Sequence, residues 1–502
     1  MIALTSSRRP RQVRAEGFES RPHAAEARLF RILAWLCLII LVLSLLPPLA
    51  GMFIHVSNDY GEGWSAYWSR AAVGGGVLYP VSNTLIANNY PPLFFYADGY
   101  LGSLVGDNIF AGRIIAFLSL LAVAAIIGRI VHMLGSPVRW AWMSALLFLL
   151  FATVDFREFV GVSNPQWPGQ AVALSSLLLL LRVEPRRLGA RDIVPAAAIM
   201  VVAGLIKHNQ IALPLSVTAW LLLYNRRALL IWCLSGALFA GAAVALLAAC
   251  FGNAIFLELF GFKRTTDFQN FLDGFVTVAD LAGLIVVALV ASRSLRRDPR
   301  AMLLLIFAAL GTVSGLGQRM GAGVFLNAHF DGLIGLVLVC GAFLGLAAEK
   351  ATPGGPDIRA RSRWLLLALA PLLLFAPLNV TRTIGRLIAI PKQQRAWAGM
   401  IDGVRSAQGP VLCEMLAVCY WADRPVGIDF FAYGQRLRTG TDPRPLERAI
   451  GERRLAAMVI DRNQHYFRGS GRLPEPLPRL IERNYAVVLT AKRDLALMVP
   501  RH

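Results

Sequence analysis

The sequence of 502 residues contains none of the short motifs by which zinc proteins, metalloproteases and nucleotide hydrolases are most easily found. It has no Cys-x-x-Cys pair, no His-Glu-x-x-His motif and no Walker-type glycine loop. Three consecutive glycines, 74–76, follow no strand-like segment, and we interpret them as a loop break rather than a phosphate-binding loop. These absences argue against a structural zinc site, a zinc protease and an ATPase.

Acidic residues are scarce relative to basic ones, with 30 Asp and Glu against 50 Lys and Arg, which gives a net charge of +20. In a soluble protein this charge would suggest a nucleic-acid partner. Only 16% of the residues are charged, however, and 56% are hydrophobic, a composition typical of chains that lie mostly in a lipid bilayer. Most arginines fall in short loops between apolar runs, where they set the orientation of membrane helices, so we expect no nucleic-acid partner.

A cleavable signal peptide is not evident either. The first apolar run is too long for a signal-peptide core and has no small-residue cleavage site. We therefore predict a basic cytoplasmic segment, 1–31, followed by a transmembrane domain, 32–381. The domain contains eleven apolar runs near membrane-spanning length, at 32–54, 111–135, 140–156, 168–181, 193–207, 210–225, 228–251, 281–293, 301–317, 331–348 and 364–381.

The distribution of charge between these runs predicts how the chain crosses the membrane. If the N-terminus is cytoplasmic, the loops that face the cytoplasm carry most of the arginines and the opposite loops carry few. This pattern predicts an integral, multi-pass protein of the inner (cytoplasmic) membrane with its C-terminus outside the cytoplasm.

Residues 382–502 depart from the membrane pattern, because their apolar runs shorten to strand length and alternate with amphipathic stretches. The short runs lie at 410–414, 456–461 and 486–490, and the amphipathic stretches at 392–407, 443–454 and 475–483. This alternation predicts a small extracytoplasmic α/β domain. In an oxidising compartment Cys413 and Cys419 can form a disulfide; two reduced thiols on a short helix are the alternative.

The first loop predicted on the outer side, 55–110, carries two close carboxylates, Asp59 and Glu62. Residues three to four apart lie on one side of a helical turn, so both can face a single cavity at the membrane surface. One would then act as a base while the other orients it or holds a divalent cation. Alternatively, both are solvated loop charges, and the Trp and Tyr residues that follow form an interfacial aromatic belt.

Two further segments of this loop carry a family resemblance. The sequence NYPP, from Asn89, leads into an aromatic run, and GDNIFAGR, 106–113, begins the second predicted helix. An acidic pair, then NYPP with aromatics, then GDxxFAGR resembles the GT-C superfamily of membrane glycosyltransferases, in particular the branch of protein O-mannosyltransferases, the aminoarabinose transferase of lipid A and Rgt-type lipopolysaccharide glycosyltransferases. There the first outer loop carries an acidic motif, often Asp-Glu, whose Asp is taken as the catalytic base. Here the acids are separated, and we expect Asp59 to be the base, with Glu62 as the alternative.

The resemblance implies a polytopic α-helical, GT-C-like fold and a membrane glycosyltransferase. A sugar would pass from a polyprenyl-phosphate-linked donor to an acceptor hydroxyl at the outer face of the inner membrane. The acceptor would be lipopolysaccharide, another polysaccharide, a lipid or a protein. A carboxylate takes the proton of the attacking hydroxyl, and cationic or hydrogen-bonding groups stabilise the lipid phosphate that leaves.

Candidate residues for binding the donor lie mainly in the other outer loops, and Arg264 is the first choice because arginine can bind phosphate oxygens with two parallel hydrogen bonds. The phosphate-binding candidates are Lys207, Lys263, Arg264 and Arg319, and the substrate-binding candidates are Tyr90, His208, Asn209 and His329. Structural alternatives remain: a snorkelling lysine at 207, solvated loop charges at 263–264 and a buried core histidine at 329.

Two other functions fit a polytopic chain with buried charges. A secondary transporter is expected to show internal repeats with matched broken helices, which this sequence lacks. A non-catalytic binder of lipid-linked sugars would keep its function without the acidic pair. The sequence requires no cofactor and leaves a divalent cation on Asp59 or Glu62 open.

Overall fold

The computed structural model describes residues 20–81, 85–346, 361–462, 472–491 and 494–501. The helices of its first part are α1 (Ser20–Met52), α2 (Gly61–Val73), α3 (Leu93–Val105), α4 (Asn108–Met133), α5 (Val138–Val154), α6 (Gln166–Ser175), α7 (Leu177–Leu180), α8 (Ala190–Ile206), α9 (Ala212–Tyr224), α10 (Arg226–Phe251), α11 (Ala254–Phe260), α12 (Phe268–Asp280), α13 (Ala282–Leu295), α14 (Pro299–Gln318), α15 (Phe330–Leu346), α16 (Arg361–Leu374) and α17 (Ala376–Ser406). Short 3-10 helices lie at Arg157–Phe159, Pro185–Arg187 and Leu326–His329.

The eleven predicted apolar runs all fall largely on helices, because a backbone in lipid must satisfy its hydrogen bonds internally. Within the described residues, five helices are long and apolar enough to cross a membrane singly, and two bent pairs raise that number to as many as seven. The five are Ala27–Met52, Asn108–Met133, Arg226–Phe251, Pro299–Gln318 and Leu326–Gly345. The predicted segments 281–293 and 364–381 lie on the two bent pairs, and the others form shorter helices. The chain is therefore a polytopic α-helical membrane protein, as predicted.

The C-terminal part forms the predicted α/β domain. It consists of α18 (Leu416–Trp421), α19 (Phe430–Arg438), α20 (Arg444–Gly451) and α21 (Leu477–Asn484), with β1 (Val411–Cys413), β2 (Ala457–Asp461), β3 (Tyr485–Thr490) and β4 (Leu495–Pro500). The strand order is β1-β2-β4-β3, with β1 and β2 parallel and the other two pairs antiparallel. The strand β4 is not among the three predicted strand-like runs, although its first four residues are all buried, like those of β2.

Successive residues of β4 enter two different hydrophobic cores, as the two faces of a strand require. Leu497 belongs to the same core as Trp397 of α17 and Trp64 of α2, whereas Met498 belongs to a core with Leu477 of α21. One face of the sheet therefore shares its core with the loop between α1 and α4.

The loop between α1 and α4, which the sequence predicts to be the first outer loop, is itself folded into α2 and α3. Gly99 of α3 lies so close to α2 that a Cβ at this position would be 2.5 Å from the carbonyl oxygen of Ser69. On another side of α2, a Cβ on Gly63 would overlap the backbone of Ala417 in α18. Glycine allows both close approaches, so the loop is packed firmly against its own second helix and against the C-terminal domain.

At two domain boundaries predicted from the sequence, the structure has a continuous helix. Helix α17 runs through the boundary between 381 and 382 and joins the membrane part to the α/β domain, so that division stays a prediction. Helix α1 begins at Ser20, inside the predicted cytoplasmic segment, the rest of which lies outside the described residues. Cys413 and Cys419 form a disulfide, the first of the two alternatives considered for them.

Candidate active site

Asp59 lies in the turn between α1 and α2 and lines two cavities. The larger cavity has a volume of about 220 Å³ and the smaller about 120 Å³. The Oδ1 atom of Asp59 accepts a hydrogen bond of 2.7 Å from the backbone N–H of Gly61, which fixes the carboxyl group at the start of α2. A carboxylate held through one oxygen at the wall of a cavity can accept a proton from a bound group.

The surroundings of Asp59 raise its pKa to about 6. Burial is the main cause, and the negative charges of Glu62 and Glu158 act in the same direction. The N–H of Gly61 and the positive charge of Arg472 oppose this rise. A carboxyl group with a pKa near 6 is ionised at neutral pH and is a stronger base than an exposed aspartate.

Glu62, the second predicted acid, has a different environment. Its side chain is 0% exposed, and Arg113 contacts both carboxylate oxygens, with Nε 2.8 Å from Oε1 and Nη2 2.9 Å from Oε2. The hydroxyl of Ser57 and the backbone N–H groups of Asn58 and Ser163 donate three further hydrogen bonds. Burial alone would raise the pKa of Glu62, but Arg113 and these donors lower it below its usual value.

The five donors around Glu62 occupy the oxygen atoms that a substrate would have to reach. Among the described residues that line the two cavities, Asp59 is present and Glu62 is not. The structure therefore separates the two acids, although they are three residues apart in sequence: one faces the cavities and the other is enclosed in a salt bridge.

Arg113, from the GDxxFAGR segment, connects α4 to the C-terminal end of α1. Besides its salt bridge to Glu62, its guanidinium donates to four backbone carbonyl oxygens at 2.7–3.3 Å, those of Gly51, Met52, Ile54 and Val56. These bonds fix the chain immediately before Asp59. The arginine of the motif thus positions the turn that carries the candidate base.

The NYPP segment places Tyr90 in the wall of the smaller cavity. Asn88 holds this segment by accepting a hydrogen bond of 3.1 Å from the N–H of Tyr90 and donating one of 3.1 Å to the carbonyl of Leu78. Lys207, at the end of α8, places its Nζ 3.3 Å from the centroid of the Tyr90 ring, a favourable cation–π contact. Because Lys207 is only 3% exposed, the snorkelling alternative does not describe it.

Arg264, in the loop after α11, lines the smaller cavity, whereas Lys207 lies behind it, against the ring of Tyr90. The guanidinium carbon of Arg264 lies 5.7 Å from the ring centroid of Phe431, and its charge acts on both Tyr90 and Lys207. Within the described part of the chain neither cation forms an ion pair with a carboxylate. Two neighbouring positive charges without an acidic partner form a place where an anion can bind.

The C-terminal domain also contributes to this site, through residues that the sequence analysis did not select. The hydroxyl of Tyr60, next to Asp59, donates a hydrogen bond of 2.7 Å to Oδ1 of Asp429, and it accepts one of 3.0 Å from the N–H of Phe431. The guanidinium carbon of Arg472 lies 4.2 Å from the Tyr60 ring centroid. No motif marks these residues, and their distance along the chain hides the contact from sequence reasoning.

Arg472 borders both cavities together with Asp59. It forms a salt bridge with Glu414, at the end of β1, and its partners raise the pKa of its guanidinium above the usual value even though burial opposes this. Its positive charge is therefore partly neutralised from within the domain. The charge of Arg472 also acts on Asp59, where it partly opposes the rise of the carboxyl pKa.

Six predicted residues are not among the described residues that line either cavity: Lys207, His208, Asn209, Lys263, Arg319 and His329. Lys263 and His208 are exposed. Asn209 donates a hydrogen bond of 2.8 Å to Gln318, and Arg319 donates to the carbonyl of Val324. His329 is 1% exposed, and its buried Nε2 atom has no hydrogen-bond partner among the described residues.

A metal site is not formed by side chains alone in the described residues. No group of three or more His, Cys, Asp and Glu residues is placed to hold an ion there. Of the two predicted acids, only Asp59 faces a cavity.

Comparison with known proteins gives matches in structure but not in sequence. No protein-family model matches the chain, and no curated protein matches it. The crystal structure of ArnT from Cupriavidus metallidurans bound to undecaprenyl phosphate is similar, with a TM-score of 0.57 at 15% sequence identity, over 93% of this chain and 97% of that chain. The apo state of the same protein has a TM-score of 0.56 at 16% identity, over 95% and 98% of the two chains.

A second, more distant protein has a similar fold. The Archaeoglobus fulgidus oligosaccharyltransferase, tethered to an acceptor peptide, has a TM-score of 0.51 at 12% identity, over 93% of this chain and 74% of that chain. Both neighbours are GT-C glycosyltransferases. The predicted GT-C-like fold is therefore confirmed, from the membrane helices to the C-terminal domain.

Proposed function

We propose that this chain is a membrane glycosyltransferase that moves a sugar from a polyprenyl-phosphate-linked donor to a hydroxyl group of a glycan, glycolipid or protein. The observation that carries this proposal is the position of Asp59 between two cavities, with a pKa of about 6 and a pair of cations nearby. The GT-C fold makes this reaction class the natural one to test.

Asp59 acts as the general base. The acceptor hydroxyl attacks the anomeric carbon of the sugar, its proton passes to the Asp59 carboxylate, and the bond between that carbon and the phosphate oxygen breaks. The polyprenyl phosphate leaves with the bonding electrons, and the proton on Asp59 is later released to water. A single displacement of this kind inverts the anomeric centre.

Lys207 and Arg264 bind the donor phosphate. Negative charge grows on the phosphate as it leaves, and two fixed cations stabilise the transition state more than the ground state. The ring of Tyr90 holds Lys207 in place through the 3.3 Å contact, so the cation needs no carboxylate partner that would compete with the phosphate.

Each of the two cavities binds one of the two substrates. The donor sugar occupies the smaller cavity, beside Arg264 and Tyr90. The acceptor occupies the larger cavity, which extends from Asp59 to Pro48 at the outer end of α1 and to Arg386 on α17. Attack then takes place at the wall the cavities share, where Asp59 lies within reach of both substrates.

The site works at the extracytoplasmic face of the inner membrane. Arginine-rich loops on the opposite side support a cytoplasmic N-terminus. The disulfide between Cys413 and Cys419 supports an oxidising environment for the C-terminal domain. Nucleotide-activated sugars are absent from that compartment, which explains the need for a lipid-linked donor.

A deletion strain tests the reaction class. Mass spectrometry of its lipids and glycans should show one missing sugar and an accumulated lipid-linked donor. A plasmid that encodes the native chain should restore the sugar, and one that encodes Asp59→Asn should not, at equal amounts of protein in the membrane. Restoration by Asp59→Asn would favour a non-catalytic binder, and unchanged lipids and glycans in the deletion strain would refute the proposal.

A further inference from the structure

The smaller cavity is lined on one side by asparagine carboxamides. Asn89 precedes Tyr90 in the NYPP segment, Asn164 precedes α6, and Asn327 lies in the 3-10 helix before α15. Three carboxamides from three separate parts of the chain thus converge on the space next to the candidate base. A carboxamide carries both donors and an acceptor, as a sugar hydroxyl does, and it has no charge.

The internal bonds of two carboxamides leave complementary atoms for a ligand. Asn164 uses Oδ1 to accept a hydrogen bond of 2.9 Å from the N–H of Gln166, and Asn327 uses Nδ2 to donate one of 3.3 Å to Oε1 of Gln166. Among the hydrogen bonds of the described residues, Nδ2 of Asn164 and Oδ1 of Asn327 have no partner. The cavity therefore offers one fixed donor and one fixed acceptor.

The charged residues of this cavity are already accounted for. Asp429 accepts hydrogen bonds from Tyr60 and from the N–H of Ala432, and Arg472 is paired with Glu414. The other two lining charges, Asp59 and Arg264, have the roles of base and phosphate ligand.

A charged sugar would disturb those two roles. An ammonium group would pair with Asp59 and weaken it as a base, because a nearby positive charge lowers a carboxyl pKa. A uronate would compete with the donor phosphate for Arg264. Taking an ammonium or a carboxylate group out of water can cost more free energy than its pairing with Asp59 or Arg264 returns, so the cavity should favour an uncharged sugar over both.

Aromatic rings complete the wall. Trp64, Phe262 and Phe431 line the same cavity, and such rings pack well against the apolar C–H faces of a sugar. From the carboxamides, the paired charges and these rings, we propose that the smaller cavity selects a donor whose sugar is uncharged, with Asn164 and Asn327 as specificity-determining residues. The inference rests on the proposed function and narrows its donor class.

Donor binding tests the selection without knowledge of the acceptor. The full chain in lipid nanodiscs is titrated with undecaprenyl phosphate alone and with the same lipid carrying a neutral hexose, a neutral pentose, a 4-amino pentose or a uronic acid, and binding is read by native mass spectrometry. We expect at least one neutral sugar to bind about tenfold or more tighter than the bare lipid, and the charged sugars to bind no tighter than it.

Asn327→Asp gives an independent readout, because it places a carboxylate where the free acceptor oxygen lies. We expect the variant to improve binding of the amino pentose relative to a neutral sugar by about tenfold. The matched control is Asn253→Asp, the same substitution at an exposed asparagine before α11 that does not line this cavity, and it should leave the ratio unchanged.

The outcomes separate the two proposals. A charged sugar that binds the native chain tighter than neutral ones, or equal binding of all sugars and the bare lipid, overturns the selection while the phosphate site stands. An Asn327→Asp variant with an unchanged preference also argues against it. Failure of the bare lipid and of every lipid-linked sugar to bind refutes the proposed function itself.

Discussion

Replacement of Asp59 by asparagine tests the proposed chemistry most directly. Asparagine has nearly the same shape, and its Oδ1 can still accept the hydrogen bond from the N–H of Gly61, so the turn should keep its conformation. The carboxamide cannot take the acceptor proton. General-base catalysis contributes about 10²- to 10⁴-fold, equivalent to roughly 3–5 kcal/mol of transition-state stabilisation. We expect kcat/KM to fall by that factor, while donor affinity changes by less than about threefold.

The raised pKa of Asp59, about 6, fixes the expected pH profile. The base must be deprotonated to act, so activity is retained above pH 6 and lost as the pH falls through it. Near pH 7 about nine-tenths of the molecules carry the carboxylate, and near pH 5 about one-tenth do. The kcat/KM of the native chain should therefore drop roughly tenfold between these values, with a slope of one on a logarithmic plot.

The assay uses the purified chain in nanodiscs, a lipid-linked donor found by the deletion experiment and its acceptor, with initial rates measured from about pH 5 to pH 8. Thermal unfolding of native and Asp59→Asn protein in the same nanodiscs controls for folding. Full activity of Asp59→Asn, or a flat pH profile for the native chain, would show that Asp59 is not the base.

Three further predictions concern the surroundings of the base. Glu62→Gln leaves the buried Arg113 without its carboxylate and should destabilise the fold by about 3 kcal/mol, seen as unfolding at a lower temperature. An unchanged unfolding temperature would contradict the role given to the salt bridge. Arg264→Ala should raise the KM for the donor about tenfold or more. Lys263→Ala removes the same charge at an exposed neighbour and should change this KM less than about twofold. Equal effects of the two substitutions would show that the phosphate binds elsewhere. Cys413→Ser removes the disulfide, which closes a loop with a sequence separation of 6, and should lower the free energy of unfolding by about 2 kcal/mol. If reductant does not change the unfolding of the native protein, the disulfide does not form in the membrane-bound chain.

The membrane part was predictable because the bilayer imposes a local rule. A segment that crosses lipid must be apolar along its length and must satisfy its backbone within itself, so each apolar run was correctly assigned to helix. The C-terminal alternation of strands and helices was equally local. The strand β4 was not predicted, although β2, whose first four residues are likewise all buried, was.

The candidate site was predictable only in part. The sequence placed Asp59 and Glu62 together, since three residues of spacing bring side chains to one side of a helical turn. It could not tell them apart, because the difference lies in Arg113, which is 51 positions from Glu62 in the chain. The sequence also could not predict the contact between Tyr90 and Lys207. It joins the loop between α1 and α4 to the end of α8, and no nearby residue pattern marks it.

By itself, the sequence determined the elements of this protein and their order. These are apolar helices for the bilayer, a polar α/β domain after them, and an acidic, aromatic loop between the first two membrane helices. These elements depend on the pattern of apolar residues and on backbone hydrogen bonds within short stretches of the chain, so the sequence is enough to predict them. Only the tertiary structure decided which acid faces a cavity, which cations lie beside it and that Arg472 and Asp429 reach the site from the far end of the chain. Burial and charge pairing depend on neighbours in space, and those neighbours exist only once the chain is folded.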